Sequence, residues 1–117
     1  MTSFPWFKFY GPEYISDQKM LALTACERSC WVTLLCYASQ ADGNIKHLSE
    51  TSLMIQAGID PQQGEWDKTK GVLEHFKNLE MIRVDNTMIT IVNWKKRQES
   101  HLTGYERVKR YRERQNL

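Results

Sequence analysis

The chain has 117 residues, 41% of them hydrophobic and 26% charged, which fits one compact domain with a single core and leaves no room for a second. No basic, apolar leader opens it and no long apolar run follows, so neither a signal peptide nor a membrane span is expected, and the cytoplasm is the expected location. The net charge of +2 hides a division at Trp94: residues 95–117 hold eight Lys and Arg against three Glu (+5), and the preceding residues hold eight against eleven acids (−3).

In chain order, Phe4 to Tyr10 is aromatic-rich, partly alternating, and stops at Gly11-Pro12, which predicts a short edge strand. Ser16 or Asp17 then caps a short helix carrying Met20, Leu21 and Leu23. Ala25 to Ser39 predicts a central buried helix, because Cys26, Cys30, Val32, Leu34, Leu35 and Tyr37 occupy much of its circumference. Three cysteines, Cys26, Cys30 and Cys36, fall in this one segment. An odd number inside a helical pattern argues against a disulfide framework, and reduced, buried thiols are expected.

Asp42-Gly43-Asn44 breaks that helix, since Gly and Asn tolerate positive φ. Ile45 and Lys46 suit a small strand. Leu48, Leu53, Met54 and Ile55 describe a helix ending at Ala57-Gly58, with no capping box at Ser49 because Ser52 stands where Glu would be needed. Asp60-Pro61-Gln62-Gln63 offers an N-cap acceptor and a proline at the first helical position. Trp66, Thr69, Val72, Leu73, Phe76 and Leu79 then recur at three and four residues, predicting one helix from Pro61 to Leu79. Met81 to Val84 and Met88 to Val92 flank the polar turn Asp85-Asn86-Thr87, a hairpin signature.

A helical trio closed by a two-stranded wing is an α+β winged helix-turn-helix. The expected organisation is a winged-helix domain over residues 1–94, with an aromatic N-terminal strand and a C-terminal hairpin wing, and a basic helical tail over 95–117. Catalysis finds little support: His47, His75 and His101 lie in three segments, and neither a Gly-rich phosphate loop nor a nucleophile with a visible base occurs. Cys26 and Cys30 share a helical face, and with His47 they make an incomplete metal set without a CxxC pair, so a buried-core role outweighs a metal site. No metal and no cofactor is expected. Trp6, Trp31, Trp66 and Trp94 read as core or interface anchors.

The aromatic Trp6-Phe7-Lys8-Phe9, the stretch Val72 to Ile82, the phrase Ile89-Thr90-Ile91-Val92-Asn93-Trp94-Lys95-Lys96-Arg97-Gln98 and the basic close Glu106 to Arg114 together resemble the amino-terminal winged-helix domains of phage replisome organizer proteins, of the DnaD-like primosome family. The resemblance implies origin recognition or self-assembly by the winged helix, with a separate carboxy-terminal region contacting a helicase or its loader. No such region lies in these residues, so the chain is expected to be a fragment or a short form, and helicase loading is not carried over.

The expected partner is double-stranded DNA, with a second copy of the chain as a further partner and host replication proteins reached only through a region absent from these residues. Gln62, Gln63, Lys68, Lys70, His75 and Asn78 are the polar residues available at the recognition position, where Gln and Asn match adenine edges and Lys matches guanine or phosphate. Lys68, Lys70 and Lys77 are offset there by Glu65, Asp67 and Glu74, so a solvated amphipathic helix fits equally well. Arg83 sits on the wing. Lys95, Lys96 and Arg97 follow the last strand and are expected beside the wing, and Arg107, Lys109, Arg110, Arg112 and Arg114 surround a thin apolar strip of Tyr105, Val108 and Tyr111 or Leu102. Protein-protein interaction with oligomerisation is the alternative of a different class, and transcriptional regulation a further one.

Overall fold

The structure, a computed structural model, describes residues 7, 9, 11–96 and 98. Helices α1 (Gly11–Ser16) and α2 (Gln18–Leu21) precede the long α3 (Ala25–Gln40), and strand β1 (Asn44–Lys46) leads to α4 (Glu50–Gln56). Helices α5 (Gly64–Thr69) and α6 (Val72–Asn78) follow, then the hairpin β2 (Ile82–Asp85) and β3 (Met88–Ile91). Gly11-Pro12 opens α1; of the strand expected over Phe4 to Tyr10, Phe7 and Phe9 are described and are not in a strand, and the other positions lie outside the described residues.

Local chemistry explains most boundaries. Asp17 caps α2 by accepting from the Lys19 N–H at 2.7 Å. At α3, Thr24 accepts from Glu27 N–H while the Glu27 carboxylate accepts from Thr24 N–H, a reciprocal capping box. The buried side chains of α3, Glu27, Cys30, Trp31, Leu34, Leu35 and Ala38 among them, fall at three- and four-residue spacing. They form a stripe that leaves Cys36 exposed and Cys26 only half-buried, so the expectation of uniformly buried thiols holds for Cys30 alone. Asp42 and Gly43 take positive φ at the end of α3 (52° and 84°), whereas Asn44 already belongs to β1.

The single helix expected from Pro61 to Leu79 is two helices. Asp60 accepts from Gln62 N–H through its side chain and from Gln63 N–H through its carbonyl, which makes a turn of residues 60–63 rather than a first helical turn. Lys70 then adopts ψ 137° and Gly71 φ 86°, a left-handed position that stops one helix before the next begins.

The sheet is antiparallel with order β1-β3-β2. Its register puts Ile82 opposite Ile91, Val84 opposite Ile89, and Ile45 opposite Ile89, one apolar face, while Arg83-Thr90-Asn44 and Asp85-Met88-Lys46 form rows on the other. Between the apolar face and helices α3, α4 and α6 lies the core, in which Phe76, Leu34, Leu53, Met54, Ile82, Val72 and Cys30 are fully buried and the Phe76 ring meets Trp31 edge-on at 5.3 Å. Trp94 closes one end by packing on the bare backbone of Gly43, where an added Cβ would lie 2.6 Å from the indole. This order of helices, strand and hairpin is compatible with the winged helix-turn-helix plan.

Candidate nucleic-acid interface

The break at Gly71 divides the residues expected to read DNA into two groups. Gln62, Gln63, Lys68 and Lys70 are exposed on the 60–63 turn, on α5 and just past its end. Lys70 is paired with Asp67 at 3.3 Å, an open surface contact worth little, and with Glu65 and Asp67 against Lys68 and Lys70 this group is electrically neutral. On α6, Asn78 is exposed, but His75 is half-buried and its Nδ1 donates to the Glu27 carboxylate at 2.6 Å. That carboxylate also closes the capping box of α3, so His75 joins α6 to α3 as well as facing outward.

Glu50, in the first turn of α4, was overlooked in the sequence because its partners lie about twenty residues on. Its two carboxylate oxygens accept from Gly71 N–H (3.2 Å) and Leu73 N–H (3.0 Å). A negative side chain thus fills the amino end of α6, where both the dipole and the free N–H groups favour an anion, and fastens α4 to α6. Glu50→Ala is expected to lower stability by about 0.5–2 kcal/mol, the range for a lost helix cap, with a correspondingly lower urea midpoint; an unchanged midpoint would remove this role.

β3 starts at the wing tip with Met88 and runs back to Ile91, whose N–H bonds to the Gly43 carbonyl. Three steps of about 3.3 Å, from Met88 to Ile91, carry the chain roughly 10 Å from the tip. Lys95 and Lys96, both exposed, therefore follow the wing at the base of the hairpin, near the end of α3. Arg83 is exposed on the outer sheet face opposite Thr90. The cation near the tip is Lys46, exposed on β1 opposite Met88, and the following His47 N–H bonds to the Thr87 carbonyl in the turn. Arg97, Arg107, Lys109, Arg110, Arg112 and Arg114 lie outside the described residues.

Burial holds the Cys30 thiol far up, at about 12, with Cys26, Glu27 and Glu50 adding negative charge around it. Because the thiolate is the reactive form and exists only above that pH, iodoacetamide at pH 8 is expected to modify Cys36 in the native protein and leave Cys30 untouched until urea is added, as read by mass spectrometry. Among the described residues, no group of three His, Cys, Asp or Glu is placed to hold a metal ion, and no helix is long and apolar enough to cross a membrane.

A profile of the family described as the N-terminal phage replisome organiser matches residues 27–117. The match takes in α3 from Glu27 on, the sheet, α4 to α6 and the basic close; the aromatic opening and the first two helices fall before it. Neither the curated proteins nor the solved structures provide a match.

Proposed function

Because the chain belongs to the N-terminal phage replisome organiser family, we propose that this replication-related domain is the double-stranded-DNA-binding module of a phage or plasmid-type replication initiator, acting by binding and not by catalysis. The observation that carries this reading is the exposed polar set Gln62, Gln63, Lys68 and Lys70, carried on the 60–63 turn and on and just past α5, next to an α6 that is fastened to α4 and α3. A neutral surface of amide side chains suits preference among base edges and supplies little attraction to phosphate. Affinity then falls to Lys95, Lys96 and Arg97 and to Arg107, Lys109, Arg110, Arg112 and Arg114, with Arg83 and Asn78 at the margins and His75 limited by its bond to Glu27.

The test is a titration of labelled duplex with the full chain over a range of salt. Binding that weakens linearly in log K against log salt is expected, and no binding even at low salt would sink the reading. An interaction module is favoured by one observation, the half-exposed Phe9 beside Tyr14; a strictly monomeric chain in light scattering at high concentration would count against it.

A further inference from the structure

A cleft of about 190 Å³ opens between the aromatic residues before α3 and the base of the hairpin. Its apolar walls include Phe9, Tyr14, Met20, Trp31 and Trp94, and three acids, Glu13, Asp17 and Glu80, stand around it against one cation, Lys19. The last described residue, Gln98, lines the same cleft. We propose that the cleft is the docking site for the chain's own carboxy-terminal segment, residues 105–114.

Three observations converge on this occupant. The segment starts only a few residues beyond the cleft wall, so its effective concentration there is on the order of millimolar even before any contact is counted. Thr103-Gly104 interrupts the helical pattern between Gln98 and Tyr105 and gives the chain a place to reverse. At helical spacing, Tyr105, Val108, Lys109 and Arg112 share one side, and Arg107, Arg110 and Arg114 share the other. The first side is apolar with two cations, the complement of an aromatic cleft edged by Asp17 and Glu80. The second side is wholly cationic and stays turned to solvent.

This docking takes Lys109 and Arg112 to the cleft and leaves Arg107, Arg110 and Arg114 for phosphate, and its test contains no nucleic acid. In the full chain, nuclear Overhauser cross-peaks are expected from the Tyr105 and Val108 side chains to the rings of Tyr14 and Trp94. Amide exchange over residues 105–112 is expected to be at least about tenfold slower than in the Tyr105→Ser, Val108→Ser double variant, whose changes lie away from the core. Glu80→Lys, an exposed site, is expected to reduce the same protection. Unprotected amides in the unsubstituted chain would overturn the proposal. So would cross-peaks found only between differently labelled copies in a mixed sample, an outcome that gives the cleft to a second chain's tail.

Discussion

Gly43→Ala is expected to destabilise the domain by about 2–5 kcal/mol, the sum of a left-handed backbone strain and an overpacked contact. The added Cβ would meet three atoms of the Trp94 side chain at 2.6 to 2.8 Å while the backbone keeps φ 84°. Neither neighbour can yield easily: Trp94 is buried, and Gly43 is bonded on both sides, its N–H to Ala38 and its carbonyl to Ile91. Gly58 provides the control, with a similar φ of 91° and nothing within 4 Å of its absent Cβ. Gly58→Ala should therefore show the backbone strain alone, about 1–2 kcal/mol. Equal urea midpoints for the two variants would remove the close approach of Trp94 as a cause.

Replacing Arg107, Arg110 and Arg114 together by Gln is expected to flatten the salt dependence of duplex binding by about 2.7, that is about 0.9 for each phosphate no longer neutralised. The three share one side of the helical pattern and leave Tyr105 and Val108 intact. Gln62→Ala with Gln63→Ala should behave oppositely, keeping the slope and reducing discrimination between duplex sequences by about 1–3 kcal/mol per bidentate pair lost. A full-slope triple variant would place the electrostatic grip elsewhere, with Lys46 and Arg83 on the outer sheet face as the next residues to replace.

The long α3, the small strand and the hairpin were legible because each rests on local pattern: a helical apolar stripe, a break rich in Asp, Gly and Asn, and two β-rich runs around a polar turn. The division of the 61–79 helix was not, because Trp66, Val72, Phe76 and Leu79 keep helical spacing straight across it. What fixes the break is tertiary: Glu50, from another helix, takes the N–H groups that a continuous helix would have used. Gly71 was a visible signal whose weight only that partner reveals. Thr24-x-x-Glu27 was equally visible as a capping box, yet the second bond of Glu27, to His75, joins residues 48 apart in the chain.

The sheet order also sets a sequence of events in time. The β2-β3 hairpin closes across the two residues Asn86 and Thr87, whereas β1 reaches β3 by pairing Ile45 with Ile89 across α4, α5 and α6. Hairpins form in about 1–10 μs, and distant pairings wait on the closure of a large loop. Strand β1 and the Gly43–Trp94 contact next to it are therefore expected to be added late, after the rate-limiting barrier. Substitutions there should hasten unfolding while leaving the refolding rate nearly unchanged, so this seam governs how long a folded molecule lasts more than how quickly one forms.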